Sequence, residues 1–177
     1  MSLTQAILTS LLEMPCSGAE LARRFDKSLG YFWQATHQQI YRELGSMERD
    51  GLIAAYGLPT ARGRQRHFTV LAPGRDLLQA WCAGQGELRP IRDELLLRMR
   101  AAAVLGTVDI AAEMRRQQSL HRDVLARYEA IEQHDFPLGI QRSTADELQW
   151  AVLRAGIVYE TSWLAWCEEV LEGPGFQ

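Results

Sequence analysis

Two helix-start signatures in close succession, followed by an abrupt change of pattern at Gly51, constrain the first half of this chain more than any other feature. Ser17 with Glu20 and Thr36 with Gln39 both have capping-box spacing, in which a hydroxyl and a side chain three residues on satisfy each other's free backbone N–H. Ahead of them Ile7, Leu8, Leu11 and Leu12 recur at helical spacing until Pro15 stops the run. The second helix passes through Leu21 and Phe25 to a stop at Gly30. The aromatic run Tyr31, Phe32, Trp33 then makes a compact turn, and the third helix ends at Gly51. Beyond Gly51 residues 52–56 and 66–71 read as short strands, with the turn residues Gly57, Pro59 and Gly63 between them. Pro73 opens a fourth helix through Leu77, Leu78 and Trp81. Three helices, a strand, a turn and a strand are the order of a winged helix-turn-helix.

A linker carrying Gly84, Gly86 and Pro90 leads into a half that is almost purely helical in pattern. The expected domains are therefore residues 1–84, a winged helix-turn-helix DNA-binding domain, and residues 85–177, a helical dimerisation domain. The fold class is mainly α (α+β). Helices are expected over about 91–105, 109–134 and 144–172, with Pro137 and Gly139 breaking between the last two. Ser143 or Thr144 can cap the last of these, and Thr144 with Glu147 again has capping-box spacing.

The last helix carries two seams. Leu148, Val152, Ala155, Tyr159, Ser162 and Trp166 make one, and Trp150, Leu153, Ile157, Glu160, Leu164, Cys167 and Leu171 the other. Ile110, Met114, Val124, Tyr128 and Ile131 give the preceding helix a single stripe for one seam. At 1.5 Å rise that helix is roughly 39 Å long, more than a domain this small can cover. A second copy of the chain is the expected neighbour for the other seam, with a monomeric bundle as the alternative. An antiparallel, coiled-coil-like homodimer would then use Leu148, Val152, Ala155, Tyr159, Trp163 and Trp166.

Composition excludes several classes. No apolar run approaches the 18 or so residues that cross a bilayer, and the region 101–112 is broken by Gly106 and Asp109. The first residues lack the basic cluster of a signal peptide, so a cytoplasmic protein is expected. Cys16, Cys82 and Cys167 are odd in number and far apart, which suits reduced thiols acting as small buried hydrophobes. The common nucleotide-loop, zinc-protease and nucleophile-elbow motifs are missing, and His37, His67, His121 and His134 have no metal-ligand spacing. No enzyme activity, metal or cofactor is expected.

The charge is divided unevenly. Residues 1–83 hold nine basic and seven acidic side chains, and the remainder ten and fifteen, giving +2 and −5 of the net −3. Every cation except Lys27 is arginine, whose planar fork suits phosphates and guanine edges. On the third helix, a 100° wheel places Ile40, Leu44, Met47 and Thr36 toward the core and Gln38, Arg42, Gly45 and Arg49 opposite. Glutamine reads adenine edges and arginine reads guanine or phosphate. Arg62, Arg64 and Arg66 alternate along the wing, so an extended segment puts all three on one face, where they repel unless an anion lies near. Ser17 and Gly18 open the second helix at its positive end, a place for a phosphate or simply an N-cap.

Ser17, Gly18, Glu20, Leu21 and Phe25, and above all the run SLGYFWQATHQQIYREL over residues 28–44, resemble the PadR family of transcriptional regulators. Gly51, Leu52, the arginine-rich wing and Leu71 to Arg75 continue the match. The second half is similar to the helical virulence-activator C-terminal domain found in that family. The pair Ala72, Pro73 departs from it, where a polar helix cap is usual. The resemblance implies a winged-helix homodimer on double-stranded promoter DNA, its third helix in the major groove and its wing on the flanking backbone or minor groove. It matches Tyr41 and Arg42 to the family motif and puts Gln34, Thr36, His37, Gln38 and Gln39 at recognition positions. It also implies two forms of control. One is a small aromatic effector such as a phenolic acid. The other is cooperation with a second transcription regulator, as in virulence or quorum-linked activation. The competing functions are a winged-helix protein-interaction adaptor that binds no DNA, motivated by the acidic second half, and a protein whose main task is binding aromatic ligands.

Overall fold

The computed structural model describes residues 3–27, 35–60, 63–88, 90–106, 109–174 and 176, with backbone alone at 26–27, 58–60 and 63–64. They fall into two compact units, Met1–Leu88 and Arg89–Gln177.

The first unit runs α1 (Leu3–Glu13), β1 (Cys16–Ser17), α2 (Gly18–Lys27), α3 (His37–Arg49), β2 (Ile53–Thr60), β3 (Gly63–Val70) and α4 (Ala72–Ala83). The three strands form an antiparallel sheet in the order β1-β3-β2. Both capping boxes in this unit are made. The Ser17 N–H and hydroxyl each donate to Glu20 Oε2 at 2.8 Å, and the Glu20 N–H returns to Ser17 Oγ at 3.3 Å. Thr36 and Gln39 close the same reciprocal pair at the start of α3. That helix ends as the glycine requires: Gly51 takes φ +69°, its N–H donates to Glu48 O at 3.2 Å, and the Leu52 N–H donates to Met47 O at 2.9 Å. The compact turn expected over Gly30 to Trp33 lies outside the described residues.

Ile7, Leu8 and Leu11 of α1, Leu21 and Phe25 of α2, and Ile40, Leu44 and Met47 of α3 meet Ile53, Phe68 and Val70 of the sheet in one buried core. Each such side chain is worth roughly 1.5–3 kcal/mol of transfer free energy. Gly74 lets α4 lie on this core: a Cβ there would stand 2.4 Å from Leu52 O and 2.9 Å from Val70 Cγ1. The hairpin corrects the sequence reading. Gly57 and Pro59, taken as turn residues, lie inside β2 opposite Arg66 and Arg64, and Gly63 opens β3. Because β2 is an edge strand, it tolerates a proline that a central strand would not. Leu71 is not a strand residue but the N-cap of α4, and it offers no side-chain bond to the helix.

The second unit contains α5 (Glu94–Leu105), α6 (Ala111–Asp135) and α7 (Thr144–Glu172). The Asp93 carboxylate caps α5 by accepting from Leu95 and Leu96 N–H at 2.8 and 3.2 Å. Ser143 with Asp146, rather than Thr144 with Glu147, makes the capping box of α7. The helix spans 144–172 as expected, so Ser143, one of the two cap candidates, is the N-cap, and the short Asp146 carboxylate suffices to reach back. Leu95, Met114 and Cys167 form a buried centre flanked by Trp163 and Trp166. Tyr128 packs on Gly156, where a Cβ would approach its ring to 2.9 Å. Glu160, read as one position of an apolar seam, is buried and paired with His121 Nδ1, whose ring stacks on Trp163 at 5.0 Å. Cys16 and Cys167 are buried, and burial pushes both thiols up. Cys82 is exposed, against expectation. Among the described residues no helix is long and apolar enough to cross a membrane, and no cluster of side chains could hold a metal ion.

Candidate nucleic-acid interface

The buried residues Ile40, Leu44 and Met47 fix the rotation of α3. The opposite side then faces water: Gln38, Arg42 and Arg49 are exposed there, with Tyr41 exposed on its flank and His37 exposed at the helix start. Thr36, placed on the core side by the helical wheel, is exposed too. As N-cap it has extended backbone, φ −74° and ψ 152°, so the wheel does not apply to it. Its hydroxyl and Gln39 are occupied with each other, Oγ1 to Oε1 at 3.1 Å. Of the recognition positions, Gln38, Tyr41 and Arg42 therefore present side chains that no hydrogen bond among the described residues ties down.

Ser17 is turned inward. It is 2% exposed, and besides Glu20 its Oγ accepts from Gln65 Nε2 at 2.8 Å. It joins β3 to the start of α2, with its hydroxyl already fully engaged. The paired hydrogen bonds from Ser17 hold the Glu20 carboxyl below its ordinary range.

The wing is described in part. Arg62 and Gln34 lie outside the described residues, and Arg64 is given by backbone alone. Arg66 is exposed on β3 but engaged: Nη2 donates to both carboxylate oxygens of Glu48 at 2.6 and 2.8 Å, and the guanidinium lies 5.6 Å from the centre of the Phe68 ring. Glu48 and Gln65 escaped sequence reading, because each takes part through a contact between segments distant in the chain, whereas Gly18 was already placed at the start of the second helix. With Ser17, Tyr41, Gly45 and Arg66 they line one depression between α2, α3 and β3.

In the second unit the two seams of α7 separate. Ile157, Glu160 and Cys167 of one are buried. Leu148, Val152 and Tyr159 of the other are 67%, 51% and 53% exposed, and Ala155 is exposed beside them. Trp163 and Trp166 are half-buried, ring to ring at 4.8 Å and 87°, against the internal cluster.

Two family models match the chain: "Transcriptional regulator PadR-like family" over residues 7–80 and "Virulence activator alpha C-term" over residues 91–173. The "Probable transcriptional regulator Rv1176c" of Mycobacterium tuberculosis is 39% identical, with 97% of each chain covered. The virulence activator AphA of Vibrio cholerae superposes with TM-score 0.77 at 28% identity, and PadR of Bacillus subtilis, solved in complex with operator DNA, with TM-score 0.83 at 22% identity; each match covers 96% of both chains. This chain thus belongs to the PadR-like family of transcriptional regulators.

Proposed function

We propose that the protein regulates transcription as a homodimer bound to promoter DNA, with residues 1–84 docking on the duplex and residues 85–177 joining the two copies. The outward face of α3 carries this function. Gln38 and Arg42 stand in solvent on a helix locked by Ile40, Leu44 and Met47, one suited to adenine and the other to guanine or phosphate. Arg62, Arg64 and Arg66 hold phosphates from the wing, and Tyr41 packs beside the helix contact. The exposed α7 seam of Leu148, Val152, Ala155 and Tyr159 supplies a second apolar surface, and two-fold pairing through it presents two α3 helices to a palindromic site.

Fluorescence anisotropy against the duplex upstream of the protein's own gene tests this. Dissociation constants of about 1–50 nM are expected, with Gln38→Ala and Arg42→Ala each costing about 1–3 kcal/mol. Absence of binding at low salt would overturn the DNA-binding function, and wild-type affinity in both variants would remove α3 as the reading element.

A further inference from the structure

We propose that Glu48 is a positioning residue that sets how strictly the protein separates its operator from other DNA, acting through Arg66. The proposal rests on the DNA-binding function proposed above.

Glu48 lies on α3 and Arg66 on β3, eighteen residues apart in the chain, so their pair ties the wing to the helix that carries Gln38 and Arg42. One guanidinium nitrogen serves both carboxylate oxygens, at 2.6 and 2.8 Å. Beneath it lies Phe68, only 7% exposed and therefore a fixed support. Nε and Nη1 make no hydrogen bond to the described residues, and the Arg66 side chain is 63% exposed. The guanidinium is thus held by one nitrogen and one face, and its remaining donors are left without a partner among the described residues. That is the arrangement a phosphate needs for a charge-assisted contact at a set angle.

The fold gains little from the pair, because exposed ion pairs contribute little to stability. Its carboxylate also repels any duplex that approaches this surface. A duplex docked in register places a phosphate on the remaining donors of Arg66, and that attraction offsets the Glu48 charge. A duplex docked out of register meets an acidic group. Glu48 therefore costs affinity for all DNA and costs most for the wrong DNA, which is how specificity arises from a repulsive element.

The test compares Glu48→Gln and Glu48→Asp, each with and without Arg66→Ala. Affinity is measured at one salt concentration for the duplex that the wild-type protein selects from a random pool and for mixed-sequence genomic DNA. Glu48→Gln is expected to tighten binding to mixed DNA roughly threefold and to lower the specific-to-nonspecific ratio by about tenfold, small against the full ratio of a specific binder. Glu48→Asp keeps the charge but shortens the reach, and it should also lower the ratio. In the Arg66→Ala background neither substitution should change it by more than about twofold, the coupling expected of residues in direct contact. An unchanged ratio in wild-type background, or an equal fall without Arg66, overturns the proposal. A wild-type protein that selects no duplex defeats the DNA-binding function itself, and Glu48's role with it.

Discussion

Gly18 lies directly under the ring of Tyr41: a Cβ on Gly18 would stand 2.6 Å from Tyr41 Cε1. The contact couples the start of α2 to the exposed face of α3. The obstructing atoms belong to a side chain that is 51% exposed and can swing away. Gly18→Ala is therefore expected to cost less than about 1 kcal/mol, a few degrees of melting temperature at most. Duplex affinity should nevertheless fall about three- to tenfold, because the displaced ring crowds the surface beside Arg42. Unaltered affinity in a well-folded variant would remove Tyr41 from the interface.

Gly45 behaves in the opposite way. It sits inside α3, where a Cβ would meet nothing within 4 Å. Glycine in a helix interior is less favourable than alanine by about 0.8–1 kcal/mol, so Gly45→Ala should raise stability by roughly that amount in denaturant titrations. The added methyl faces the depression shared with Tyr41 and Arg66. Weaker duplex binding alongside higher stability is expected, and a variant that gains both would show that the surface over Gly45 stays open in the complex.

Acid should weaken the fold through carboxylates that native hydrogen bonds hold low. The Arg116 side chain, followed by Gln117, holds Glu113 down to about 2 from an ordinary value of 4.5. Hydrogen bonds from Ser17 lower Glu20, and those from Ser143 lower Asp146. A depressed native pKa stabilises the fold above the unfolded value, and the gain disappears as pH falls through the native one. Melting temperature should therefore drop as pH falls from about 4.5 toward 2. Glu20→Gln and Asp146→Asn should each flatten that decline. A melting temperature constant over this range would contradict the capping geometry.

Charge placed on the exposed α7 seam should separate folding from the proposed assembly. Leu148 and Val152 are 67% and 51% exposed within the chain. Leu148→Glu and Val152→Glu should leave helix content intact and change stability of the separated chain by no more than about 0.5 kcal/mol. Sedimentation velocity should show the dimer replaced by monomer. A dimer unaffected by both would place the interface elsewhere.

The local signals were legible in sequence. Ser17–Glu20, Thr36–Gln39 and Gly51 depend on residues within one helical turn, and all three form as their spacing requires. The core face of α3 followed from the period of Ile40, Leu44 and Met47. Features set by pairing between distant segments were not legible. Gly57 and Pro59 are strand residues because β2 finds β3 and lies at the sheet edge, which no local propensity reports. The three wing arginines look equivalent in an extended segment, and no local signal reports that strand register carries Arg66 to Glu48. Glu160 fits an apolar seam by position alone, and the approach of His121 from α6 gives its buried carboxylate a partner.

Sedimentation equilibrium of the protein mixed with a labelled palindromic duplex selected by the wild-type chain tests most directly whether paired α3 helices meet DNA. Saturation at two chains per duplex is expected, with Arg42→Ala leaving the dimer intact but weakening its hold on the duplex by about 1–3 kcal/mol at the same salt. One chain per duplex, or undiminished binding by the Arg42→Ala dimer, would contradict it.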